Sequence, residues 1–256
     1  MLRAPLLRSL LFTVLMMFCG RSVMAQHFIL CDPIGGKKAL QSLIENELIY
    51  PPQALENGIH GEVWLIFNVM ADGSVEDLRI WKGLEPTCDA EALRLASLVQ
   101  WRPALLAGKP VDAEHSMVIE FNPKRYRKWL RHRRPLESPI MELPAAIDHE
   151  VHLAHKVERA PQPIIPGGMA GLHRWWRQEI RYPPEARRLD IQGVVKLRFI
   201  VEASGTISNA HTLNDLGGGC VRESLRMVNA IAWEPGTLHG ERVRTLMEMD
   251  VIFKLP

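Results

Sequence analysis

Cysteine is scarce in this sequence: there are four in 256 residues, and one of them, Cys19, lies in an N-terminal stretch of distinct composition. So few thiols argue against a fold stapled by several disulfides. Charge of one sign is also lacking, with 31 Lys and Arg against 29 Asp and Glu. Bulk electrostatics therefore draws the chain to neither nucleic acid nor an anionic membrane. Long apolar runs are missing too: Leu10 to Phe18 is bracketed by Arg8 and Arg21, short of the ~20 residues needed to cross a bilayer. Catalytic signatures are absent. Gly217-Gly218-Gly219 is not followed by the Lys-Ser/Thr of a phosphate loop, and no nucleophile elbow or acid/base pair stands out. His149, His152 and His155 fall at three-residue steps on an expected helix, yet no second ligand cluster accompanies them, so they read as solvated histidines rather than a metal site. The sequence thus points to no catalytic residue, no metal and no cofactor.

What is present begins with a leader. Arg3 and Arg8 precede the apolar run, and Val23-Met24-Ala25 offers small residues at cleavage positions. Residues 1–25 are expected to be a secretory signal peptide removed before Gln26. Three of the basic residues, Arg3, Arg8 and Arg21, leave with it. The export this implies makes the destination a compartment outside the cytoplasm, where Cys31, Cys88 and Cys220 remain. An odd number leaves at least one unpaired within the chain.

The dominant feature is a stretch written twice. Tyr50-Pro51-Pro52, Gly61, Phe67, Gly73, Cys88, Trp101, Pro103, Gly108, Val111 and Phe121 recur as Tyr182-Pro183-Pro184, Gly193, Phe199, Gly205, Cys220, Trp233, Pro235, Gly240, Val243 and Phe253. Every pair is 132 positions apart, from 50 and 182 to 121 and 253. A register held by Gly, Pro, Trp and Cys without insertion marks an internal duplication. Two repeats are too few for a solenoid, so each copy is expected to fold on its own core.

Periodicity assigns the same elements to both. Leu40, Leu43, Ile44 and Leu48 make the apolar stripe of a first helix, stopped by Tyr50-Pro51-Pro52. Val63, Leu65, Phe67 and Val69 alternate as a half-buried strand, and Asp72-Gly73 turns into the return strand Val75 to Trp81. Asp89 to Gln100 is a second helix with Thr87 or Asp89 as its cap. The last strand places Val111, Ala113, His115, Met117, Ile119 and Phe121 inward, with Glu114, Ser116 and Glu120 outward. Each copy is therefore α-β-β-α-β, an α+β class with a small antiparallel sheet covered by helices. The expected organisation is 33–122 for the first domain, 123–163 for a basic, proline-containing linker and 164–256 for the second. The basic run from Lys124 to Arg134 reads as a solvated face. Cys88, Cys220, Trp101 and Trp233 read as core, and Trp64, on the polar side of its strand, is a better candidate than they are for a contact surface.

The order of these signals, Gly-Gly, helix, Tyr-Pro, Ile-x-Gly, alternating strand, Cys before a helix, Trp-x-Pro, Gly-x-x-Val and a strand ending in Phe, resembles the C-terminal domain of TonB. The residues carrying it are Tyr50, Pro51, Gly61 and Trp101 in one copy and Tyr182, Pro183, Gly193 and Trp233 in the other. The resemblance implies binding rather than catalysis: a periplasmic domain that captures an extended segment of an outer-membrane TonB-dependent transporter, or of another envelope protein, along an exposed strand border. By position the implied partner-binding residues are Val111, Glu114, Ser116, Val118 and Glu120, and Val243, Leu246, Glu248, Asp250 and Ile252. An assembly module pairing through its sheet edges, including a homodimer, and an inner-membrane-anchored transducer are the alternatives. About ten residues separate Ala25 from Gly35, a reach of roughly 35 Å, so the long spacer of a force-transmitting protein is not seen here.

Overall fold

In the computed structural model, residues 28–132 and 138–255 are described. The leader, with Cys19 and the expected cleavage site before Gln26, and Arg133, Arg134 and Pro135 of the basic run lie outside them. The first copy starts with α1 (Gly36–Glu47) and the single turn α2 (Pro52–Glu56). The hairpin β1 (Gly61–Val69) and β2 (Val75–Lys82) leads into α3 (Pro86–Ser97) and the final strand β3 (Ala113–Phe121). Sheet order is β2-β1-β3, all antiparallel, with Gly61 opposite Phe121 and Val69 opposite Ala113. The cap of α3 is Glu85 rather than Thr87 or Asp89: its carboxylate accepts from the amides of Thr87 and Cys88, both at 3.2 Å. Asp89 instead accepts from the Leu84 amide at 2.8 Å.

The segment after Phe121 is more structured than a linker reading suggests. Pro123–His132 forms α4, bearing most of the basic run, and Val151–Leu153 is a short strand, β4. The helix expected around the three histidines is not there. His152 sits within β4, because the chain is stretched along a neighbouring strand and takes its hydrogen bonds from that neighbour.

The second copy repeats the plan with α5 (Gly168–Glu179), α6 (Pro184–Arg188), β5 (Gly193–Val201), β6 (Ile207–Thr212) and α7 (Cys220–Asn229). The short strand β7 (Gly236–Leu238) then precedes β8 (Glu241–Phe253). Gly193 lies opposite Phe253, as Gly61 lies opposite Phe121.

Each copy has its own core. Leu65, Phe67, Leu95, Ile119 and Phe121 are buried in one, and Leu197, Phe199, Trp233, Val251 and Phe253 in the other. Burying a side chain of this size contributes roughly 1.5–3 kcal/mol. The equivalences extend to geometry. Phe67 packs on Trp101 with ring centroids 5.1 Å apart, and Phe199 on Trp233 at 5.4 Å. The Tyr182 hydroxyl donates to the Ile191 carbonyl at 2.5 Å, and the Tyr50 hydroxyl donates to the Ile59 carbonyl in the same way. Cys31, Cys88 and Cys220 are all buried and unbridged.

A half-buried pair that the sequence reading passed over also recurs. Glu91 accepts from the Ile49 amide at 2.7 Å and is gripped by Arg94 at 2.7 Å, while Arg94 donates to the Glu47 carbonyl at 2.6 Å. In the second copy Glu223, the Arg181 amide, Arg226 and the Glu179 carbonyl repeat the arrangement. Each pair locks the end of the first helix to the second. Burial raises the Glu223 carboxyl, but the hydrogen bonds from Arg226 and Arg181 outweigh it and leave the group below its ordinary value.

Candidate strand-binding border

The final strand of the first copy sends Met117, Ile119 and Phe121 into the core and leaves Glu114, Ser116, Val118 and Glu120 exposed. One side of β3 is paired along its length with β1. Among the described residues no strand pairs with its other side. That side carries unmatched amide and carbonyl groups, which an extended chain can satisfy. Val111 is not part of this border. It belongs to the separate strand Lys109–Val111 and faces Ala104, because the chain breaks register at Asp112, whose carboxylate turns away to accept from the Ala71 amide at 2.7 Å.

A groove of about 670 Å³ runs beside the C-terminal half of β3, between α1 and α4. Leu40, Ile44, Val118 and Trp129 supply its apolar lining. The helix α4 holds its place by aromatic packing, Tyr126 on Tyr50 at 5.3 Å and Trp129 stacked on Tyr126 at 5.9 Å. Arg125 then ties three elements, contacting Glu45 of α1 at 2.5 Å and Glu120 of β3 at 3.2 Å. The Arg125 hydrogen bond holds the Glu45 carboxyl below its ordinary value. These contacts are half exposed, so each one contributes little by itself.

The second copy differs where the border should be. β8 is one unbroken strand, and its outer side is already used from Glu241 to Leu246: β7 pairs with residues 241–243, and β4 adds in parallel, with Val151 opposite Arg244 and Leu153 opposite Leu246. The border expected from Val243 onward is thus narrower than the sequence suggested. Val243 is buried opposite Gly236, and Leu246 lies against the chain's own linker. Glu248, Asp250 and Ile252 remain exposed beyond it, with Glu248 paired to Arg198 at 2.8 Å. Beside this remaining stretch lies a second groove of about 520 Å³, where Met169, Leu172 and Trp176 of α5 occupy the positions held in the first copy by Lys37, Leu40 and Ile44.

The position that separates the copies is Asp112 and its counterpart Arg244. Arg244 is buried, pairs with Glu202 at 2.7 Å, and donates to the His149 carbonyl of the linker at 2.9 Å and the Leu98 carbonyl of the first copy at 2.8 Å. Burial pushes the Glu202 carboxyl up, while Arg244 and the Ser208 hydroxyl pull it down; burial prevails. Asn209, with φ of 52° at a bulge of the β5–β6 hairpin, accepts from the Gln100 amide at 3.0 Å and donates to Leu98 at 3.2 Å. At Gly35 (φ 86°) an added Cβ would lie 2.8 Å from the Ala210 carbonyl oxygen, so the two copies meet there without room for a side chain.

Of the motif positions, Tyr50 and Trp101 are core in the first copy and Trp233 in the second, and Gly61 and Gly193 take φ near 150° where they begin their strands. Trp64 is half-buried and meets the exposed Trp81 edge to face at 5.7 Å, on the outer side of the first hairpin.

Comparison with known proteins follows the duplication. The family described as Gram-negative bacterial TonB protein C-terminal matches residues 46–123 and again residues 178–255. Two solution structures of the Helicobacter pylori TonB-CTD are similar to part of the chain. The longer is 25% identical over 33% of this chain and 78% of its own, with a TM-score of 0.26, and the shorter is 27% identical over 34% and 92%, with a TM-score of 0.27. No curated protein matches. With both repeats matched in register and more than half of the sequence covered, the chain belongs to the TonB C-terminal domain family, as a tandem pair of its domains.

Proposed function

We propose that this chain is a periplasmic, non-catalytic binding protein that captures extended segments of outer-membrane transporters, adding them as a strand to the free border of β3. Energy-coupled transport is the process such capture would serve. The observation carrying the reading is the unpaired outer side of β3 lying directly beside an apolar groove. It is supported by the family, whose domains generally engage outer-membrane transporters and act as energy transducers rather than enzymes. Among the described residues no helix is long and apolar enough to cross a membrane. In this reading the units are residues 33–122 with α4 docked on them, and 164–256, and the second unit serves chiefly to hold the first.

The test is amide exchange on the full chain during titration with N-terminal peptides of outer-membrane transporters. Slowed exchange confined to Glu114–Glu120 is expected. Indifference of those amides to every peptide would remove the reading. Protection of the same amides in a stable dimer without peptide would favour pairing between copies of the chain instead. Mass measurement of the native N-terminus is expected to give a chain beginning at Gln26.

A further inference from the structure

Half of α4 is cationic. Of its ten residues Lys124, Arg125, Arg127, Lys128 and Arg131 are basic and none is acidic, in a chain whose acids and bases nearly balance. Apart from Pro123 the helix lies beyond the first family match, which ends at that residue, so the shared domain does not account for it. Its inward side is fixed: Pro123 is buried, Tyr126 packs on Tyr50, Trp129 stacks on Tyr126, and Arg125 turns to Glu45 and Glu120. Those contacts leave Lys124, Arg127, Lys128 and Arg131, at i, i+3, i+4 and i+7, along one stripe of the opposite side. All four are exposed. Arg127 donates to the Leu55 carbonyl at 2.7 Å, which leaves its charge uncompensated. Lys124, Lys128 and Arg131 enter no ion pair among the described residues. Seven steps of a helix rise about 10 Å, close to one Debye length at physiological salt, so the four charges feel one another unless anions come between them.

From this stripe we infer that the outward side of α4 docks on an anionic lipid surface, with headgroup phosphates seated among the four cations. A helix ridge is convex and offers no recess to a shaped protein partner; the groove of the first copy opens on its flank, past Trp129 and His132. A broad layer of negative charge asks for no such recess. Lysine and arginine reach it on apolar stems that lie along the interface with their charges outermost, and Leu130, 43% exposed on the shoulder of the stripe, adds apolar contact at the same depth. Because the packing of Tyr126 and Trp129 already holds the helix in place, docking does not have to order it. The inference is independent of the strand-addition reading. It concerns where the first copy sits, and the border of β3 is free in either case.

The test is flotation of the full chain with vesicles of phosphatidylcholine alone and with vesicles in which about a third of the lipid is phosphatidylglycerol. Binding to the anionic vesicles that weakens as salt is added is expected. Lys124→Gln and Arg131→Gln alter two exposed side chains that lie outside the groove lining. Each should weaken binding about fivefold, and the two together roughly 25-fold. The control pair Lys109→Gln and Lys254→Gln removes the same charge from exposed residues elsewhere and should change binding by less than about twofold. Amine labelling read residue by residue separates α4 from every other part of the chain: anionic vesicles should slow modification of Lys124 and Lys128 and leave Lys109 unchanged. No preference for anionic vesicles, equal losses in the two pairs, or undiminished labelling of Lys124 and Lys128 would overturn the inference. Protection of these lysines by soluble poly-glutamate and not by vesicles would assign the stripe to an acidic polypeptide and overturn it as well.

Discussion

Arg244 on the last strand of the second copy donates to the Leu98 carbonyl at the end of a helix in the first, at 2.8 Å, from a buried position. The counterpart of Arg244 in the first copy is Asp112, whose carboxylate serves a local turn. One position thus carries a local contact in one repeat and the junction between repeats in the other. The junction is polar: Ser204 donates to Glu47 at 2.6 Å, Thr206 donates to the same carboxylate, and Asn209 bridges to Leu98 and the Gln100 amide.

Replacing Arg244 by Met leaves Glu202 buried without its partner. Loss of one member of a buried pair costs about 3–5 kcal/mol, and chemical denaturation of Arg244→Met should show a loss of that order. Adding Glu202→Leu should recover a large part of it, since two apolar groups replace the pair. A single variant as stable as the parent would show that the junction is not held through this residue.

Glu91 and Glu223 make the same contacts in separate cores. Glu91→Gln and Glu223→Gln should each lower stability by about 1–3 kcal/mol, through a weakened grip on a backbone amide and an arginine. Urea titration of the two variants is expected to give similar losses. A large loss at one and none at the other would mean that only one copy depends on the lock.

His115, His149 and His211 are all held below the ordinary value of 6.5, in each case first by burial, with Arg244 and Arg94 adding to the effect at His149 and Arg102 and Arg198 at His211. Protonation therefore favours the unfolded chain. Their stabilising contribution is complete above pH 6.5 and is lost as pH falls from there toward the folded-state values. The thermal midpoint should fall as pH is lowered from 7.5 to 5. His115 lies between Phe67 and Trp101, where the second copy has Met247. His115→Met should blunt the acid sensitivity, and an unchanged pH profile would assign it elsewhere.

The linker strand β4 covers Arg244 to Leu246. Replacing residues 149–153 with a Gly/Ser stretch of the same length should speed amide exchange along that part of β8 and leave β3 unaffected. Unchanged exchange at Arg244–Leu246 would show that this border is protected by something other than β4.

Much of this was written in the residues themselves. The 132-residue register names equivalent cores, and alternation in Val63–Val69 and Ala113–Phe121 sets which side is buried, because a strand has a period of two and only one covered face. The Glu91–Arg94 and Glu223–Arg226 pairs were legible by the same register, as acid and base three apart on equivalent helices. What tertiary structure alone decided is which borders stay open. Pairing of β4 with β8 and the reach of Arg244 into the first copy join residues about a hundred or more positions apart, and no local spacing encodes such contacts. A duplicated sequence specifies two like domains through short-range pattern; how the two were made unlike depends on where each edge meets the rest of the chain.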